Sequence, residues 1–177
     1  MAAKARSYQV RELLKDGTEV TVRAMRPEDA PDILAAFGAL GRDSIYRRFF
    51  TLKKTLSAAE LKQLAEVDFE TVVALVVTTK TSDGEVLIAG GRYALEPGRE
   101  GQAAELAFLT SEAYRGLGLA SVLLRHLAVL AKDAGLGRFE AEVLAENQPM
   151  LNVFRHSGLP LQQHRDGSTV HVTLSLI

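Results

Sequence analysis

Three stretches of the chain carry strand-like runs on both sides of an Asp-Gly pair. They are "YQVRELLKDGTEVTVRAM" around Asp16-Gly17, "TVVALVVTTKTSDGEVLIAGGRYAL" around Asp83-Gly84, and "LPLQQHRDGSTVHVTLSLI" around Asp166-Gly167. Asp-Gly is a leading hairpin signal because both residues tolerate positive φ, so each stretch predicts an antiparallel hairpin. Helical patterns fill the gaps. "RPEDAPDILAAFGAL" opens with proline and acids, as a helix N-terminus prefers. "GRDSIYRRFF" reads as a short second helix, and "SAAELKQLAE" sets Glu60 three residues after Ser57, a capping box. The strand "GQAAELAFLT", the helix beginning in "YRGLGLASVLLRHLAVLAKDAG", the strand "RFEAEVLA" and the helix "NQPMLNVFRHSG" follow. This order predicts a mixed α/β (α+β) layer with a mostly antiparallel sheet flanked by helices. It holds one strand–helix–strand crossover, from Glu105 to Ala145, whereas a doubly wound sheet would need several.

Composition narrows the class of protein. A chain of 177 residues, 47% hydrophobic and 24% charged, reads as one domain over residues 1–177, long enough for a sizeable core. A net charge of -1 supplies no global positive field for nucleic acid or a membrane surface. The absence of cysteine removes disulfides, thiolate metal sites and thiol nucleophiles, and fits a reducing cytoplasm. The N-terminus has no apolar stretch behind its basic residues, so it does not read as a signal peptide. The run "VVALVV" is far too short to span a bilayer. A cytoplasmic location is expected.

The pattern that needs explaining is the mouth of the long helix. Gly116 and Gly118 flank Leu117 after Arg115, although glycine lowers helix stability by ~1 kcal/mol per position relative to alanine. A helix start has unpaired N–H groups and partial positive charge, and glycine lets an anion touch them directly. A glycine-rich entry turn with no ligand is the plainer alternative. The P-loop pattern is excluded because no lysine follows the glycines. A dinucleotide fingerprint begins at Gly116-Leu117-Gly118 but meets Ser121 where its third glycine belongs, and the chain lacks repeated βαβ units.

Arg115-Gly116-Leu117-Gly118-Leu119-Ala120 resembles the Arg/Gln-x-x-Gly-x-Gly/Ala signature of the GNAT family of N-acetyltransferases, and the order of elements agrees over essentially the whole chain. More narrowly, "LKDGTEVTVRAMRPEDA", "DSIYRRFF", "AAELAFLTSEAYRGLGLAS" and "VLAENQPMLNVFRHSG" are similar to the acetyltransferase domain of bacterial protein-lysine acetyltransferases. That family often adds an acyl-CoA-synthetase-like or cyclic-nucleotide-binding domain, for which this chain has no room. The resemblance implies acetyl-CoA as cosubstrate, and no metal. Its pyrophosphate would rest on the N–H groups of Gly116, Leu117, Gly118, Leu119 and Ala120, with Arg115 at the rim. Its pantetheine would run beside Phe108, Leu109 and Thr110, where a bulge leaves strand donors unpaired. Asn147 either caps the following helix or also reaches the pantetheine.

Acetyl transfer to an amine needs a neutral nucleophile. A lysine amine has a pKa of ~10.4 in water, so a base must take its proton. Glu105 matches the family's carboxylate base, and its flanks Ala104 and Leu106 suggest partial desolvation; the alternative is an edge-strand charge facing water. The family's general-acid tyrosine is replaced by Phe154, so the leaving thiolate takes its proton from water. His126 and His156 read as solvated helix positions, and His164 and His171 as exposed strand residues on one face, without the carboxylate or third ligand a metal needs. "YRRFF" reads as packing plus rim rather than a nucleic-acid patch.

The leading expectation is an acetyl-CoA-dependent N-acetyltransferase whose partner is a protein with an acceptor lysine, for which the resemblance points to an acyl-CoA synthetase. A small-amine N-acetyltransferase, acting on an aminoglycoside or polyamine, is the second. A non-catalytic acyl-CoA-sensing module is the third, and it would not need a base at Glu105.

Overall fold

The computed structural model describes residues 2–29, 31–33, 67–98 and 102–177. The expected helices over 26–40, 41–50 and 57–66, with the Ser57–Glu60 capping box and "YRRFF", lie outside the described residues, apart from a 3₁₀ turn at Pro27–Asp29 and residues 31–33.

The described chain runs α1 (Ala2–Arg6), β1 (Gln9–Leu13), β2 (Glu19–Ala24), β3 (Val72–Thr81), β4 (Gly84–Leu95), β5 (Ala103–Thr110), α2 (Leu119–Asp133), β6 (Arg138–Leu144), α3 (Gln148–Arg155), β7 (Leu161–Asp166) and β8 (Thr169–Ser175). One eight-stranded sheet results, in the order β1-β2-β3-β4-β5-β6-β8-β7. All neighbours are antiparallel except β5 and β6, which are joined through α2 in the expected crossover. All three expected hairpins form, each with its glycine at positive φ: Gly17 at 88°, Gly84 at 111° and Gly167 at 62°.

Burial follows the apolar pattern. β3 is the "VVALVV" strand, and Val73 through Val77 are all at most 2% exposed, buried on both faces as a near-continuous apolar run requires. In β8, Val170, Val172 and Leu174 are buried and alternate with His171 and Thr173. Helix α2 turns Leu119, Leu123, Leu127, Leu130 and Ala131 inward, a 3.6-residue stripe that packs on β3, β4 and β5. Across β4 and β6, the Tyr93 and Phe139 rings meet at 5.6 Å inside this core.

Charge is also buried. Arg23 on β2 (7% exposed) makes a two-pronged pair with Asp29 (4% exposed), at 2.9 and 2.7 Å. Asp29 further accepts from the Arg26 N–H at 2.8 Å, while Glu85 reaches Arg23 at 3.3 Å. Burial pushes the Asp29 carboxyl up, but hydrogen bonds from Arg23 and the Arg26 backbone outweigh it and hold the group below its ordinary value.

Candidate active site

The feature that makes a site is a lapse in pairing. β5 and β6 run side by side only from Ala103–Glu105 against Arg138–Glu140. Beyond Glu105, β5 keeps β4 as far as Thr110, while β6 from Ala141 onward pairs with β8 alone. The two strands splay, and the edge of Leu106–Thr110 away from β4 faces a cleft with no strand beside it. The β4–β5 register is continuous along this length, so the open edge comes from divergence of β5 and β6 and not from the expected bulge. A backbone edge left this way offers donors and acceptors to an extended ligand.

The cleft has a volume of about 640 Å³. It brings together Glu105, Phe108, Leu109, Thr110, Arg115, Gly116, Gly118, Leu119, Ala120 and Asn147, all expected from sequence. Leu117 does not line it but packs against the hydrophobic core, as its apolar side chain favours.

The mouth of α2 is built as the glycine pattern requires. Gly116 and Gly118 lie at φ 78° and 83°, where an L side chain is strained, and Gly118 is the residue from which the helix starts. The first turn's bond runs from the Val122 N–H to the Gly118 carbonyl at 3.0 Å. The N–H groups of Leu119, Ala120 and Ser121 therefore have no partner within the helix, and no side chain caps this end among the described residues. Asn147 does cap α3: its side-chain oxygen accepts from the Met150 N–H at 3.4 Å, from a position that also lines the cleft.

Glu105 stands where the parallel pairing ends, opposite Glu140 on β6 and Ala94 on β4. It is exposed, because alternation buries Ala104 and Leu106 on the opposite face. The expected desolvation by those flanking residues therefore does not occur. Its charged neighbour is Arg92: burial pulls that guanidinium below its ordinary value, and the Glu105 carboxylate opposes the shift. Phe154 is 1% exposed, and its ring lies 6.4 Å from that of Phe108. It lines the cleft as packing and brings no hydroxyl.

The histidines divide differently from expectation. His126 is 7% exposed, not solvated. It sits between α2 and β1, with Nδ1 2.5 Å from the Tyr8 hydroxyl and Nε2 2.7 Å from Glu12 Oε1. No local pattern on the helix announces partners more than a hundred residues away. His171 does have carboxylates after all, supplied by β6: Glu142 at 2.5 Å and Glu140 at 3.3 Å. The Glu142 hydrogen bond drives its imidazole above the ordinary value, against a partial burial penalty. His156 is exposed and borders the cleft, and His164 is exposed beside His171. Among the described residues no three His, Cys, Asp or Glu side chains come together as a metal site, and no helix is long and apolar enough to cross a membrane.

Sequence reasoning missed several cleft residues. Glu142 and Met150 follow from the splay of β6 and the packing of α3, and Lys15 arrives from the β1–β2 turn. Only the tertiary arrangement reveals them.

Known proteins share this sequence pattern and fold. Residues 43–159 match the model of the acetyltransferase (GNAT) family. An acetyltransferase of Pseudomonas aeruginosa is 33% identical over 159 residues, covering 89% of this chain and 84% of that protein. The acetyltransferase Pat of Mycolicibacterium smegmatis is 32% identical over 145 residues, covering 82% of this chain but 42% of Pat. The crystal structure of the GNAT domain of S. lividans PAT superposes with a TM-score of 0.84 at 31% identity, covering 94% of this chain and 96% of that one. With its splayed strands, glycine-bearing helix start and matching relatives, the chain belongs to the GNAT acetyltransferase family.

Proposed function

We propose that this chain is an acetyl-CoA-dependent N-acetyltransferase that modifies lysines of folded proteins, working as a single acetyltransferase domain over 1–177. The observation that carries the reading is the convergence, in one cleft, of an uncapped helix start, an unpaired strand edge and a carboxylate. Each matches one part of the reaction. The N–H groups from Gly116 to Ala120 suit the pyrophosphate, with Arg115 at the rim. The edge Phe108–Leu109–Thr110 suits the amides of pantetheine, and Asn147 borders the same path.

In the chemical step, Glu105 removes a proton from the acceptor ammonium, directly or through one water. The neutral amine attacks the thioester carbonyl carbon and a C–N bond forms. The C–S bond then breaks, the attacking nitrogen gives its second proton to water to become the neutral amide, and the coenzyme leaves as a thiolate that takes a proton from water. Glu105 is exposed before binding, open to the acceptor and to water.

The protein-lysine acceptor is supported by the likeness to Pat and to S. lividans PAT. A second reading, acetylation of a small cationic amine, is favoured by one feature: Glu105 and Glu142 both line the cleft. Release of free coenzyme thiol from acetyl-CoA separates the two. Folded proteins, acyl-CoA synthetases first, are compared with a panel of polyamines and aminoglycosides. Acetyl-lysine in a protein, found by mass spectrometry, supports the first reading. Turnover on small amines alone overturns it in favour of the second, and no turnover on any acceptor favours a binding module.

A further inference from the structure

The β1–β2 turn is far from the glycine motif in sequence and beside it in space. A methyl group built on Gly118 would lie 3.4 Å from Lys15 Cε and 4.0 Å from Lys15 Nζ. Lys15 shares the cleft wall with Gly116, Gly118 and Ser121. It makes no ion pair or hydrogen bond among the described residues.

Its position is not accidental to a loose loop. The Leu14 N–H donates to the Thr18 carbonyl at 2.9 Å, the Gly17 N–H to the Leu14 carbonyl at 3.0 Å, and the Thr18 N–H to Asp16 Oδ1 at 2.9 Å. Leu14, at 5% exposed, plugs the turn into the core. Three residues before Lys15, Glu12 accepts from Arg125 and from His126 of α2, each at 2.7 Å, and His126 is itself held by Tyr8. The hairpin is thus fastened to the very helix whose first turn Lys15 overhangs.

That placement is electrostatically unfavourable for the protein alone. A helix N-terminus carries partial positive charge and disfavours a nearby cation. Here Lys15 and Arg115 both border it. An anion between them would attract all of these positive groups and offset their mutual repulsion, and a phosphate has the charge and the acceptor oxygens to do so.

We propose that Lys15 is a ligand of the coenzyme's phosphates, delivered across the helix start by the β1–β2 hairpin. This rests on the reading that acetyl-CoA occupies the cleft. Lys15 works as a point charge on a flexible stem, and the Glu12–Arg125–His126 contacts keep its hairpin in register with α2.

The test is calorimetric titration of wild type, Lys15→Ala and Lys15→Arg with acetyl-CoA at low and high salt, alongside 3′-dephospho-acetyl-CoA and the phosphate-free thioester acetyl-pantetheine. Losing a charge-assisted contact should weaken acetyl-CoA binding by about tenfold or more in Lys15→Ala. Lys15→Arg should recover most of the loss, and added salt should narrow the gap. Turnover with acetyl-pantetheine should be the same in wild type and Lys15→Ala. If the defect persists with 3′-dephospho-acetyl-CoA, the contact is to the pyrophosphate; if it vanishes there, to the 3′-phosphate; both support the proposal. Wild-type binding with Lys15→Ala within twofold of it overturns the role of Lys15 alone. Failure of wild type to bind acetyl-CoA overturns the coenzyme reading and this proposal together. An unchanged circular dichroism spectrum in Lys15→Ala keeps a folding defect from imitating the loss.

Discussion

Gly91 on β4 makes room for the cleft, and filling that room should be felt in both stability and coenzyme binding. Gly91 pairs with Phe108 across β4 and β5. A Cβ at Gly91 would stand 2.9 Å from Phe108 Cδ1, 3.1 Å from Cε1 and 3.4 Å from Leu123 Cβ. The ring cannot retreat toward Leu123 or Phe154, which are 0% and 1% exposed, so it must give toward the cleft. Overpacking of this kind costs ~1–3 kcal/mol. Alanine in a strand interior regains ~0.5–1 kcal/mol over glycine, leaving at mid-range values a net loss of about 1 kcal/mol. For a chain of this length that lowers Tm by roughly 2–4 °C. The assay is thermal unfolding of Gly91→Ala with and without Phe108→Leu, together with KM for acetyl-CoA. Gly91→Ala alone should lower Tm and raise KM, because the displaced ring narrows the path proposed for pantetheine. In the Phe108→Leu background the same change should be neutral or stabilising, a coupling of ~1–2 kcal/mol. If Gly91→Ala leaves Tm and KM unchanged, or shows no coupling to Phe108, this account of the cleft wall is wrong.

Gly118→Glu puts a side chain and a negative charge at the helix start, so acetyl-CoA binding should be lost while circular dichroism stays native; unchanged affinity in calorimetry would defeat the phosphate assignment. Asp29→Ala strands Arg23 as a buried charge, which costs ~3–5 kcal/mol. Tm should then drop by roughly 6–20 °C, and a drop under about 2 °C would show that the pair is not buried in solution. His171 has its folded-state pKa raised by Glu142 and Glu140, so its contribution to stability is full below its unfolded value of ~6.5 and is lost as pH rises through the raised folded value. In urea unfolding, wild type should exceed His171→Gln by ~0.2–1 kcal/mol, after allowing for solvent screening, at pH 6. That margin should shrink in alkaline solution; a constant margin would mean that the ion pair contributes nothing.

How much of this was legible in the chain depended on how local the cause was. The hairpins were, because a glycine at positive φ and the flanking apolar runs are neighbours in sequence. "VVALVV" was legible as part of a hairpin strand but its burial on both faces only from the fold, while the glycines beside Arg115 announced a helix start with exposed N–H groups. The splay of β5 from β6 was not legible: β6 pairs with β8 along its whole length on one edge, while its other edge parts from β5 after Glu140, a divergence no local pattern encodes. The burial of His126 depends on Tyr8 and Glu12, and the pairing of His171 on two glutamates of another strand. Lys15 reads as an ordinary turn lysine until the hairpin is laid across α2. Glu105 was found through the family signature, and its exposure through the fold.

The central claim, that this cleft performs base-assisted acetyl transfer at Glu105, is tested most directly by Glu105→Gln. That change keeps the shape of the side chain and removes its basicity. Turnover with acetyl-CoA and the best acceptor is measured across pH, and coenzyme affinity by calorimetry on the same samples. The account expects turnover to fall by ~10²–10⁴-fold, with loss of the ionisation through which the wild-type rate rises. Coenzyme affinity should barely change, since the contacts proposed for it lie at Phe108–Thr110 and Gly116–Ala120. Near-normal turnover with the wild-type pH profile would contradict it.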